Sequence, residues 1–283
     1  SFQKLGSQVF MECHFTGTLR IPESVTEIAD FHAFEGNQFS EVILSSRITG
    51  IGGSAFQDCG QLQKVKVAGK EETSAAIQLP DALTSLGGFV FQNCTQLSGW
   101  VKIPDLTANL GAQIFQGSGI HTSYLPDNGN VTYSDNFLLG AKLNAAVFPS
   151  KERYDADLTK LVKSTRTYCG YPVTVAFLDA EEQTLTTRDV LFNRPVHYDQ
   201  TENGWEPDPS FSFPAYGEEK TGYDTGWSFS KGGKVITPAS VVTGNALYYS
   251  CSLSAPTITF EEAPTKDHDG KTEYIRCTAS HPL

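Results

Sequence analysis

One phenylalanine recurs through the first half of the chain at a nearly fixed interval. That interval constrains the fold more than any other feature. Phe10, Phe34, Phe56, Phe91, Phe115 and Phe137 stand in matching contexts: LGSQVFMEC, IADFHAFEGN, IGGSAFQDC, LGGFVFQNC, LGAQIFQGS and a worn copy, YSDNFLLG. The successive spacings are 24, 22, 35, 24 and 22 residues. An insertion around AGKEETSAAIQ (68–78) accounts for the long one. This period is too short for helix-pair repeats of about 33 residues. It fits repeats of about 20–29 residues that lay down one short strand per coil.

The slots around the phenylalanine follow from stacking. Three residues on stand Cys13, Asn37, Cys59, Cys94, Ser118 and Gly140. Cys59 therefore occupies a place for a small inward group and is expected to be a buried thiol, not a nucleophile. Gly50, Gly52 and Gly53 with Ala55 imitate a dinucleotide fingerprint. That fingerprint needs a strand, a long helix and an acidic residue about 20 positions on. The 22-residue period leaves no room for them. Ile51-Gly52 is the same slot as Leu5-Gly6, Leu86-Gly87 and Leu110-Gly111, where a tight turn is expected. After the Cys slot come FTGTLRIP (15–22), FSEVIL (39–44), LQKVKV (62–67), LSGWVKIP (97–104), IHTSYLP (120–126) and LNAAVFP (143–149). Their alternation of apolar and variable residues predicts half-buried strands. Pro22, Pro104, Pro126 and Pro149 end them, since proline cannot donate to a ladder.

The pattern I-G-x-x-A-F-x-x-C-x-x-L-x-x-V, seen best in IPESVTEIADFHAFEGNQFSEVIL and ITGIGGSAFQDCGQLQKVKV, resembles the BspA-like, treponemal-type leucine-rich repeats of bacterial surface proteins, common in Bacteroidetes. The resemblance covers residues 1–150. It implies a mostly β fold with short helical or 3-10 turns: a right-handed leucine-rich-repeat solenoid of about six coils. It also implies a cell-surface or secreted location. The last coil, at Phe137, lacks the leading I-G and the Cys and is expected to act as a cap, which a solenoid needs.

Residues pointing away from the core line the outer face of the repeat sheet. One row is Arg20, Ile43, Lys66, Lys102, Tyr124 and Val147; a second is Thr18, Glu41, Lys64, Trp100, Thr122 and Ala145. Exposed aromatics beside cations are common on recognition surfaces. The candidate ligand-binding residues are therefore Arg20, Glu41, Lys64, Lys66, Trp100, Lys102 and Tyr124. The plain alternative is a solvated sheet face rich in Lys and Thr. The insertion at 68–78 is a second candidate, because such insertions become loops on one face.

Residues 151–167 read as a linker or cap, and the repeat ends there. Residues 168–253 read as a β-rich domain, with strands at 173–177, 189–192, 211–216, 226–230 and 245–253 and breakers in NGWEPDPS and KGGK. The run from YPVTVAF to GYDTGW and ALYY resembles the Listeria–Bacteroides repeat of internalin-type surface proteins. That resemblance implies a small β-grasp-like stalk module. Trp205 and Trp227 are expected in its core or rim. The segment 254–283 reads as a further strand pair or the start of another module. Asp267 to Gly270 has the look of a calcium loop but lacks the later acidic ligand. Cys169 and Cys251 are a possible disulfide pair.

The formal net charge of −11 argues against nucleic acid and anionic membranes as partners. The cysteines show no C-x-x-C spacing and the histidines no H-x-x-H pairing, so neither metal nor cofactor is expected. The N-terminus lacks the basic start and apolar core of a signal peptide. Since it falls within a repeat, the chain is expected to be a fragment or processed form. No constellation suggests catalysis; Glu206 and Asp208, straddling Pro207, are the nearest approach to a carboxylate pair. Three functions stand: a non-catalytic, adhesin-like protein expected to recognise a host or neighbouring-cell protein or glycan as a monomer; a structural spacer; and an accessory module of a glycan-degrading system.

Overall fold

The computed structural model describes residues 3–29, 31–161, 163–179, 181–216, 223–253, 257–260 and 277–280. Each repeat makes one coil with two strands. The longer strands are β1 (Thr16–Arg20), β2 (Gln38–Leu44), β3 (Lys64–Val67), β4 (Ser98–Lys102), β5 (Gly119–Tyr124), β6 (Ala145–Val147) and β7 (Cys169–Gly170). They pair in parallel as a three-stranded ladder, β1 to β3, and a four-stranded ladder, β4 to β7. On the opposite edge a six-stranded sheet runs through two-residue strands, Lys4–Leu5, Glu27–Ile28, Gly50–Ile51, Ser85–Leu86, Asn109–Leu110 and Thr132–Tyr133.

Between the two edges the repeated phenylalanines form a column. The Phe10–Phe34, Phe34–Phe56, Phe56–Phe91 and Phe91–Phe115 centroids lie 5.5, 5.4, 5.7 and 6.2 Å apart, all stacked. Phe137 is buried but leans on Tyr133 at 52°, as its worn context anticipates. The turn carrying each of the first five phenylalanines goes left-handed two residues later, at Glu12, Gly36, Asp58, Asn93 and Gly117; Gly and Asn tolerate this conformation best. Asn37 in the Cys slot shows what that slot does: its Nδ2 donates to the carbonyls of Phe10 and Phe34 at 2.7 and 2.9 Å. Cys59 and Cys94 make the weaker thiol version to Phe34 and Phe56.

The glycine slot serves close packing more than turning. A Cβ on Gly87 would stand 2.4 Å from the Gly53 nitrogen, and one on Gly111 would stand 2.1 Å from the Gly88 nitrogen. Successive coils touch backbone to backbone there. The tight-turn expectation is corrected for these two residues, which carry no positive φ.

The insertion does not loop away. Ile77 makes parallel bridges to both Val65 and Val101 and so joins the two ladders. On the opposite edge Gly50–Ile51 pairs directly with Ser85–Leu86. The outer sheet thus gains one strand's width that the other edge lacks.

The chain forms two compact units: 1–173 with 189–210, and 174–188 with 211–283. This differs from the expected boundary at 168. The cap segment folds as α1 (Lys151–Asp157), a 3-10 turn (Leu158–Lys160) and α2 (Lys163–Arg166). Ser150 caps α1, its hydroxyl accepting from the Arg153 N–H. Tyr154 packs on Phe148, Tyr171 and Phe192, and β7 then pairs with β6. The first unit also holds a hairpin, β10 (Tyr198–Thr201) with β11 (Gly204–Pro207), described below.

The second unit is built on a sheet of β8 (Pro172–Leu178), β9 (Thr184–Leu191), β12 (Tyr223–Ser228) and β13 (Ala246–Leu253), in the order β9-β8-β13-β12. β8 runs parallel and β12 antiparallel to β13. Phe177, Trp227 and Tyr249 meet edge-on in its core. Residues 211–216, expected as a strand, join no ladder. Pro214 lies among them, and its carbonyl accepts from Trp227 Nε1 at 2.9 Å. In the tail, β14 (Thr257–Phe260) pairs antiparallel with β15 (Cys277–Ser280). No helix among the described residues is long and apolar enough to cross a membrane.

Candidate functional site

Strand register sets the outer rows. Arg20 pairs with Ile43 and Ile43 with Lys66; Lys102 pairs with Tyr124 and Tyr124 with Val147. The second row runs Thr18, Glu41, Lys64, and then Trp100, Thr122, Ala145. The inner positions between them, including Val42, Val65, Val101 and Ala146, are buried.

Two of the cations are engaged from within. Lys66 Nζ lies 2.7 Å from Glu41 and 3.1 Å from Glu72 of the insertion. Hydrogen bonds to these carboxylates raise its pKa. Lys64 Nζ donates to the Thr73 carbonyl at 2.7 Å. The insertion thus leans over the middle of the face and spends charge that the sequence suggested was free. Arg20 and Lys102 are exposed at their strand ends. The structure brings Glu41 to Lys66 and Trp100 to Tyr124, the latter edge-on at 5.7 Å. Arg20 stands on the first strand, apart from the aromatic pair.

The β10–β11 hairpin covers the later half of the face. Trp100 Nε1 and the Ser74 hydroxyl both donate to the Glu202 carbonyl, at 2.8 and 2.6 Å. The buried Thr122 hydroxyl accepts from the Trp205 N–H at 3.1 Å and lies 3.3 Å from its carbonyl. Gln200 Nε2 reaches the Tyr124 hydroxyl at 3.4 Å. Trp205, 2% exposed, forms a small outer core with Ala145, Val147 and Leu191. Burial raises the Tyr124 pKa and lowers that of His121, whose Nε2 stands 3.7 Å from Glu206. The approach is close enough to require glycine. Gly204 has φ +107°, and a Cβ there would meet Thr122 at 2.8 Å.

Beside the hairpin tip a cleft of about 610 Å³ remains open, between the insertion and the end of β4. Ala75, Ile77 and Leu79 supply buried aliphatic lining, and Trp100, Pro104 and Leu106 complete the apolar surface. Leu106 is 61% exposed. Lys102, Glu71, Asp105 and a Lys70–Asp81 ion pair of 2.6 Å supply the polar lining.

Sequence reasoning missed Ser74, Leu106, the role of Thr122 and the whole hairpin. A signal was present: Thr201-Glu-Asn-Gly-Trp205 places Asn-Gly between strand formers, a hairpin mark.

The remaining candidates resolve simply. Burial pushes the Cys59 and Cys169 thiols up to about 12. Cys169 is a free buried thiol donating to the Thr165 carbonyl. The side chain of Cys251, its suggested partner, lies outside the described residues. Asp208 caps a turn through Ser210, while Glu206 accepts from Thr201. No group of three metal-ligating residues occurs among the described residues. The Asp267–Gly270 stretch lies outside them.

The family model for the BspA type leucine-rich repeat region matches residues 1–76 and 70–156, in six copies. No curated protein matches the chain. Among solved structures, the pneumococcal vaccine antigen PcpA is similar at 17% identity over 51% of this chain and 39% of that one, with a TM-score of 0.37. This chain therefore spans about two-fifths of that protein. A leucine-rich repeat protein from Bacteroides ovatus ATCC 8483 is similar at 16% identity, covering 62% of this chain and 70% of that one, TM-score 0.26. A leucine-rich cell-surface protein from Faecalibacterium prausnitzii A2-165 is similar at 19% identity, covering 55% and 61%, TM-score 0.25.

Proposed function

We propose, from the premise that this chain belongs to the BspA-type leucine-rich repeat family, that it is a non-catalytic recognition protein of a bacterial cell surface. It binds a protein of a host or neighbouring cell through the cleft between the insertion and β4. The observation that carries this reading is the lining of that cleft. Ile77, Leu79, Pro104 and Leu106 make it aliphatic. Aliphatic surface with a few polar groups suits protein side chains. A sugar ring is better served by an open aromatic face, and Trp100 is engaged by Glu202 and Tyr124. Lys102 adds a cation that can pair with a carboxylate on the partner.

The second unit is read as a spacer of the Listeria–Bacteroides-repeat kind. Its mixed sheet and aromatic core support that reading. Of the seven face residues, Trp100 and Lys102 belong to the proposed site. Glu41, Lys64 and Lys66 shape its surroundings through the insertion. Arg20 and Tyr124 lie outside it.

The test is a binding panel of extracellular-matrix proteins, mucin and plant polysaccharides, run on the purified chain and on a Leu106→Asp, Lys102→Glu double variant. Both substituted residues are exposed, so the variant should keep the parent's circular dichroism. The reading expects a protein analyte bound by the parent and lost in the variant. A polysaccharide bound in place of a protein, or equal binding by both chains, overturns it. A parent that binds nothing favours the spacer.

A further inference from the structure

The β10–β11 hairpin is a two-stranded sheet of its own. Such a ribbon is marginal alone in water, so it owes its place to the face beneath it. Side chains of that face bond the hairpin's main chain, and the Trp205 side chain packs on Ala145, Val147 and Leu191. Trp100 and Ser74 donate to the Glu202 carbonyl. Thr122 meets both the N–H and the carbonyl of Trp205. Where the hairpin backbone presses on the Thr122 and Trp100 side chains, at Gly204, a Cβ is refused. Trp205 lies in β11, so Thr122 reads both main-chain groups of an extended residue, the backbone-borne part of peptide recognition.

The fit is incomplete at its one deep anchor. Trp205 is buried, yet its indole N–H meets no hydrogen-bond partner among the described residues. Burying an unpartnered donor opposes docking. Trp100 also lines the open cleft, so the hairpin's footprint and the cleft form one continuous surface.

We infer that the outer face around Trp100 and Thr122 is a docking surface for an extended strand of a protein partner, held in the resting molecule by the chain's own hairpin, which the partner displaces. The choice of a protein partner rests on the cleft reading above.

Hydrogen exchange on the intact chain gives the first test. Amides of Tyr198–Glu206 should exchange at least 100-fold faster than those of Val101 and Ile120, because the hairpin opens while the coils stay closed. Equal rates would mean that the hairpin leaves only on global unfolding, and the inference fails. The second test uses a labelled synthetic peptide of residues 197–208 added in trans. It should bind a Trp205→Ala chain at least ten-fold more tightly than the parent, and Thr122→Val in that background should abolish binding. Gly204→Val serves the same purpose if Trp205→Ala does not fold. A folded, opened chain that ignores the peptide, or binds it regardless of Thr122, overturns the inference. The cleft reading is judged separately, by the Leu106 and Lys102 double variant.

Discussion

The indole Nε1–H of Trp100 reaches the main-chain carbonyl of Glu202 at 2.8 Å, across 102 residues of chain. Trp100 belongs to the fourth long strand of the solenoid, and Glu202 to a hairpin that follows the last one. The bond therefore reports on whether the returning chain is seated. Trp100→Phe keeps an aromatic ring and removes the donor. It should cost about 1 kcal/mol and speed exchange of the 198–206 amides while leaving those of β4 and β5 slow, as read by mass spectrometry.

Gly204→Val tests the close approach itself. The new side chain would collide with Thr122 and would require φ +107°, a region that favours glycine. The hairpin should lift, with a loss of about 1–3 kcal/mol. Trp205 would enter water, so tryptophan emission should shift to the red. An unchanged spectrum with unchanged stability would show that the hairpin is not held as described.

The phenylalanine column sets the stability of the coils. Phe91→Ala empties a fully buried site between two stacked neighbours and should cost about 3–5 kcal/mol. Phe10→Ala, at the half-buried end of the column, should cost less. Urea midpoints of the two variants provide the comparison.

The thiols predict an alkaline limit. Cys59 and Cys169 are pushed from 9.0 to about 12 in the folded chain by burial, while the unfolded chain keeps the ordinary value. The unfolded state therefore loses these protons first as pH rises. Their contribution is intact below pH 9 and lost between 9 and 12, with a slope of about 1.4 kcal/mol per pH unit per thiol. Denaturation midpoints measured from pH 8 to 11 should fall, and a Cys59→Ala, Cys169→Ala chain should flatten the decline. At pH 8, peptide mapping after thiol labelling should find exposed Cys13 modified and Cys59, Cys94 and Cys169 protected.

The period of Phe10, Phe34, Phe56, Phe91 and Phe115 and the two outer rows could be read from sequence because each coil repeats one local pattern. An alternation of two fixes which way Lys66 or Tyr124 points. Partners are a different matter. Lys66 finds Glu72, and Trp100 finds Glu202, through an insertion and a returning hairpin that occur once each and obey no period. Ile77 was hidden for a related reason: its bridges to Val65 and Val101 are single residues, too short to leave a strand signature. Gly87 and Gly111 show a further limit: contact between neighbouring backbones leaves the same letter in the sequence as a turn.

The threading of the chain limits how the protein can be divided. The chain leaves the first unit after residue 173, returns at 189 and leaves again after 210. Proteolysis at any one of these points severs a unit from part of itself. Truncation after 173 discards the hairpin that seats Trp205; truncation before 211 strands 174–188 on the wrong side. Recombination that shuffles such modules must therefore carry the solenoid's end, the hairpin and the second unit as one inherited block.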